Sequence, residues 1–186
     1  MGSAWLSGIN LYATVLTLGL LQRFGVAHLP GDLGYLSHTW MLALAAALCA
    51  IQFVADKIPA VDSAWDLVHT FIRVPAGAVL AASAFAHFDT RVQLLAVLLG
   101  GGIALSSHGA KTATRLAANT SPEPFSNAAL SLLGDAVAVG GSVLVALHPL
   151  VLASIALAAV VVTVFLLHWI WRWMRRLFRT PQMAHK

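Results

Sequence analysis

Asp62, Asp66, His69 and Arg73 follow one another at spacings of four, three and four residues, the rhythm that lines up side chains on one face of a helix. His108, Lys111 and Arg115, spaced three and four, form a second such face, and Asp135 stands inside a third apolar stretch. Carboxylates, guanidinium and imidazole gathered in this way hold an anionic group, balance an ion or relay protons; histidine titrates nearest to neutral pH. With two neighbours at a chain turn the set has four carboxylates, Asp56, Asp62, Asp66 and Asp135, against four cations, Lys57, Arg73, Lys111 and Arg115. An unpaired charge at the centre of a bilayer costs at least ~2.5–3.5 kcal/mol. Matched faces that meet inside the protein lower that cost, so the two faces and Asp135 are expected to converge on an interior or cytoplasm-facing polar cavity, with Arg73 and Asp135 the deepest members.

The surroundings explain why these residues matter. Of 186 residues, 59% are apolar and only 10% charged, with a mean hydropathy of +0.82; a soluble domain carries about 25% charged residues. That excludes a soluble enzyme, a disordered chain and a nucleic-acid-binding module. The net charge of +4 has a local source, because Arg172, Arg175, Arg176, Arg179 and Lys186 follow a long apolar run. Such placement marks a cytoplasmic membrane anchor and not a phosphate-binding groove. The lone Cys49 excludes a disulfide framework and a cysteine metal site. No H-E-x-x-H or G-x-S-x-G pattern occurs, so no catalytic residue, cofactor or metal site is assigned. An intramembrane enzyme would need Ser107 or Ser131 beside His108 or His69, and is the weakest reading.

The elements that must position the polar set are membrane helices. A crossing takes roughly 20 mostly apolar residues, and six segments qualify: 4–24, 38–57, 61–88, 91–118, 125–147 and 150–171. The expected fold class is all-α: a single transmembrane domain over 1–186 with a basic tail at 172–186. The third span is expected to break at Pro75 and Gly77, just beyond Arg73. Residues 1–4 lack the basic n-region of a signal peptide, so the first helix is read as retained. Six crossings put both termini on one side. Lys57, Lys111, Arg115 and the tail then share that side, against Arg23 and Arg91 opposite, which makes it the cytoplasmic face of an inner membrane.

Two further patterns bear on organisation. Ser7–Ala13 lines up with Gly101–Ser107, and the halves 4–88 and 91–171 would then form an inverted three-plus-three repeat; chance similarity between Gly-, Ala- and Leu-rich segments explains the match equally simply. Gly100–Gly102 and Gly140–Gly141 suit close helix approach. In the Ser121–Asn127 segment, two prolines enforce an extended entry, and Ser126 or Asn127 is expected to cap the fifth helix.

The run Ala55-Asp56-Lys57-Ile58-Pro59, then Asp62, Trp65-Asp66, His69-Thr70 and Arg73, together with Ser121–Asn127, resembles the bacterial integral-membrane family DUF4126, a domain of unknown function. The resemblance spans about Ser7 to Pro149 and implies a membrane fold and no chemistry. A Glu-Asp pair often stands in that family where this chain has Gly134-Asp135, so a two-carboxylate site is not implied.

The functional expectation is a transporter or channel-like protein of the inner membrane, its polar site lined by Asp66, His69, Arg73, His108, Lys111 and Asp135. Arg73 and Lys111 would attract an anionic group or tune proton affinity, while Asp66 and Asp135 would balance them or carry protons. Its partners would be the lipid bilayer and a small solute, ion or lipid, with no nucleic acid; small six-helix units also form homo-oligomers, and no contact face is marked. The alternative is a lipid-handling or assembly module whose charges are closed ion pairs. On that view Asp56, Lys57 and Asp62 face water at a helix end, and Lys111 and Arg115 snorkel to the headgroups.

Overall fold

The computed structural model describes the backbone of residues 1–56, 59–119 and 124–177; the side chains of 57–67, 119–125, 127, 174 and 176–186 lie outside the described set. Asp62, Asp66 and Lys57 therefore contribute no side-chain geometry here. The fold is all-α. In chain order come α1 (Gly2–Arg23), a 3-10 turn (Gly31–Ser37), α2 (Thr39–Ala55), α3 (Pro59–Ala84), α4 (Thr90–Asn119), α5 (Pro124–Leu147) and α6 (Pro149–Leu177). Among the described residues, four helices are long and apolar enough to cross a membrane: α1, α4, α5 and α6. The 3-10 turn and α2, bent by 73° against each other, make a fifth if counted as one span. The protein is thus a multi-pass membrane protein.

Prolines set several of the boundaries. Pro59, Pro124 and Pro149 each begin a helix, where the missing N–H is one that would have had no intrahelical acceptor. This corrects the expected cap of α5, since Ser126 and Asn127 fall inside its first turn. Gly25 and Gly31 adopt positive φ, 69° and 58°, and turn the chain from α1 into the 3-10 segment at a conformation that favours glycine. Close approach is confined to some of the other glycines. A Cβ on Gly100 would stand 2.9 Å from the Gly77 carbonyl and one on Gly141 2.5 Å from Leu6, whereas Gly102 and Gly140 have nothing within 4 Å.

The expected break in the third span is absent, and a different helix is broken instead. α3 continues through Pro75. It is braced by α4, against which Gly77 and Gly100 bring the two backbones together; membrane helices tolerate proline where neighbours compensate the lost bond. The interruption lies in α1 at Asn10, with φ −149° and ψ 99°. That extended backbone is what an N-cap residue adopts. Accordingly Asn10 Oδ1 accepts the Ala13 N–H at 3.0 Å, and Thr14 Oγ1 donates to the Asn10 carbonyl at 2.7 Å.

The two arms of α1 return to the same end of the bundle. Along residues 2–9, Ala4 packs with Ala81 and Ala96, Gly2 faces Val145 and Leu152, and Gly8 reaches Ala104 and Ser107. Beyond Asn10, Tyr12 meets His69, but Leu18 joins a cluster with Leu33, Leu36 and Leu80, against which Val145 and Ala146 also pack. Residues 4 and 18 therefore lie level with the same turn of α3, and α1 is a V with Asn10 at its point. Most of this V is enclosed: 61% of its apolar window is buried, against 11% for α6. Ser7–Ala13 spans this break while Gly101–Ser107 is uninterrupted helix, so the two aligned segments differ in backbone.

Candidate functional site

A helix that stops leaves carbonyls without partners at one end and amides at the other, and those ends carry partial negative and positive charge. Asn10 creates both in one place. Asp135 pairs with it about halfway along α5, roughly 17 Å from either end at 1.5 Å per residue, so the break lies level with the middle of that helix. Its carbonyl end is taken by side chains from α3 and α4. Lys111 Nζ donates to the Ile9 carbonyl at 2.9 Å, Arg73 Nη1 makes a long 3.5 Å contact to the Gly8 carbonyl, and Ser107 Oγ donates to the Trp5 carbonyl at 2.7 Å. The amide end is capped by Asn10 itself, whose Nδ2 donates to Asp135 Oδ1 at 2.8 Å. Cations thus stand at the negative end of one arm and a carboxylate beside the positive end of the other, the arrangement the dipoles favour.

Arg73 has no exposed surface. Its Nη1 donates to His108 Nδ1 at 3.1 Å and its Nη2 to Gln52 Oε1 at 3.2 Å. A guanidinium only donates, so Nδ1 of His108 is the acceptor and Nε2 carries the proton, donated to Thr70 Oγ1 at 2.8 Å. On the other face of α1, His69 Nε2 and the Tyr12 hydroxyl lie 2.8 Å apart, with the rings edge to face.

A second cluster centres on Asp56, which ends α2 and is only 2% exposed. Its Oδ2 lies 3.2 Å from Arg115 Nη2 and 3.9 Å from Lys111 Nζ, and accepts from Ser131 Oγ at 3.2 Å. Asp56 Oδ1, Gln52 Nε2 and Asp135 Oδ2 are buried without a hydrogen-bond partner among the described residues. Beside this cluster a cavity of about 270 Å³ opens between α1, α4, α5 and α6, with Ser107, Lys111 and Arg115 at its polar part and Ile9, Leu130, Leu133, Val137 and Ala159 among its apolar walls.

Of the six expected site residues, His69, Arg73, His108, Lys111 and Asp135 converge on the point of the V, and Asp66 lies outside the described residues. The convergence has a different basis from the expected one. Among the described residues no ion pair joins Arg73 to Asp135; each serves a different end of the broken helix. Lys111 and Arg115 turn inward, as expected of their helix face, and Asp56 joins them there; the alternative in which all three face water or headgroups does not hold for these side chains. Sequence reasoning missed Asn10, Tyr12, Gln52, Thr70 and Ser131 as members of the network. The four-residue spacing of Gln52 and Asp56 on α2 was a usable signal for two inward-facing polar groups.

The family described as "Domain of unknown function (DUF4126)" matches residues 1–171. No curated protein and no solved structure matches the chain.

Proposed function

The chain belongs to the DUF4126 family, and because that description names no activity we propose from the geometry that this is a small transporter or channel-like protein whose path passes the point of the V in α1. The observation that carries the reading is the enclosed break itself. Irregular backbone at membrane depth persists where protein or a water-lined cavity covers it, and broken helices whose free ends meet substrate or ion near the midplane recur in transporter sites. Arg73 and Lys111 hold the carbonyl end and Asp135 the amide end. A lipid-handling or assembly module is the second reading, favoured by the tight grouping of Asp56, Lys111, Arg115 and Ser131. An enzyme is not proposed.

Asp135→Asn separates the two readings, because an amide oxygen still accepts from Asn10 Nδ2 and only the charge is lost. In liposomes, proton flux read by trapped pyranine or anion flux read by trapped lucigenin is expected to fall to background in this variant, with its unfolding temperature held. Flux equal to wild type, or wild-type flux no greater than empty liposomes, overturns the transport reading.

The same V changes the expected topology. Its arms span about 12 and 20 Å at 1.5 Å per residue, each short of the ~30 Å hydrocarbon layer, and both point to one face. On this reading α1 dips in and returns while α2 to α6 cross. The cytoplasmic face of a bacterial inner membrane is then the one bearing the end of α4 and the arginines of α6, and the Met1 end lies on the outer face. Protease added to spheroplasts is expected to remove an epitope placed before Met1 and to spare one placed after Lys186. Protection of both tags would restore six crossings with both termini inside.

A further inference from the structure

The 270 Å³ cavity takes no part in the path described above, yet it touches it. Ile9, Ser107 and Lys111 belong both to its wall and to the carbonyl end of the first arm of α1. Its mouth faces hydrocarbon: Leu133 on its wall is 60% exposed, and α6, which forms another wall, is the least enclosed apolar span. A water-soluble ion entering here would have to cross an apolar surface, whereas an alkyl chain is already in that phase. The polar part is charged and sheltered: the Lys111 and Arg115 side chains are only 10% and 5% exposed, and both lie against the Asp56 carboxylate, which an incoming phosphate would share them with. Arg115 lies four residues before the end of α4, about 6 Å along the axis at 1.5 Å per residue, a depth suited to the phosphate of a lipid in the adjoining leaflet.

We infer that the ligand of this cavity is an anionic phospholipid taken sideways from the bilayer. Its phosphate lies against Lys111 and Arg115, and its acyl chain runs between Leu130, Leu133, Val137 and Ala159. Basic pockets between membrane helices on the cytoplasmic side recognise anionic headgroups in this way, and a cation-oxyanion hydrogen bond is among the stronger polar contacts. A zwitterionic headgroup brings its own cation to the same place and loses the preference. The inference rests on the proposed reading of the interior as a ligand-bearing site and names the chemical class that reaches it.

The test uses the full chain purified in detergent with equimolar phosphatidylglycerol and phosphatidylcholine, the retained lipid being identified by native mass spectrometry. Retention of phosphatidylglycerol over phosphatidylcholine by about tenfold is expected. Ala110→Phe on α4 and Ala159→Phe on α6 each fill the chamber and leave both cations in place, and each is expected to bring retention to background. Lys111→Gln is expected to abolish the preference between the two lipids. Equal retention of both lipids by the wild type, unchanged retention in both phenylalanine variants, or displacement of phosphatidylglycerol by glycerol phosphate would each overturn the proposal, the last by showing a site for a soluble anion. Flux without selective lipid retention removes this inference and leaves the transport reading intact; selective retention without flux does the reverse.

Discussion

Asn10→Asp is expected to destabilise the protein by about 2–4 kcal/mol and to abolish flux, and adding Asp135→Asn in the same chain is expected to restore both. Asn10 performs two separate tasks at the point of the V. Its Oδ1 caps the second arm through the Ala13 N–H, and its Nδ2 donates to Asp135. A carboxylate at position 10 keeps the first task, because it accepts as well as an amide does. It fails the second, since a hydrogen bond to a charged group worth about 1.5–3 kcal/mol becomes a contact between two acids, one of which must take up a proton. The second substitution reverses donor and acceptor: the new amide at position 135 donates to the new carboxylate at position 10, and one negative charge again stands at the break. Asn10→Ala serves as the control. It loses the cap as well, about 0.5–2 kcal/mol, and Asp135→Asn cannot rescue it. Thermal unfolding in detergent and the liposome assay read the outcome; a double variant as unstable as Asn10→Asp would show that Asn10 does not act through Asp135.

The faces carried by α3 and α4 are legible in the sequence because spacing alone decides which side chains share a helix face. His69 goes with Arg73, and His108 with Lys111 and Arg115, and these do point into the bundle. The break was not legible. Asn10 lies in an apolar run that continues unchanged on both sides, so nothing in the hydrophobic pattern marks a cap there. Pro75 sends the stronger breaking signal, but its effect depends on how closely α4 supports α3, a tertiary fact. Asp56 read as interfacial because Lys57 and Pro59 stand next to it; its burial depends on where α4 and α5 bring Arg115 and Ser131.

Matching charges by sign led to the expectation that the faces bearing Arg73 and Asp135 converge, but it could not say what each charge would meet there. Composition counts side-chain charges and omits the partial charges at a helix end, whose position is known only once the break is known. In this fold those partial charges act beside the side-chain partners. Arg73 and Lys111 meet backbone carbonyls, Asp135 meets the residue that caps the amide end, and Asp56 pairs with Arg115 and Lys111, so charges from separate helices gather around the break in α1.

Arg73→Ala is expected to cost about 2–5 kcal/mol, because Gln52 Oε1, His108 Nδ1 and the more distant Gly8 carbonyl lose their donor together. Each such loss runs to about 1–3 kcal/mol in water-soluble proteins and closer to 0.6–1.7 kcal/mol between membrane helices, which sets the range. Arg73→Lys keeps the charge but is expected to recover only the smaller share. The contacts leave from two different guanidinium nitrogens, and a compact ammonium on a flexible stem does not reproduce that planar fork. Arg73→Met keeps an apolar chain of similar length but removes the same donor, so it is expected to cost nearly as much as Arg73→Ala, and the difference between the two variants reads the packing of the side chain alone. A lysine variant equal to wild type in both unfolding and flux would mean that the fork contributes nothing beyond its charge.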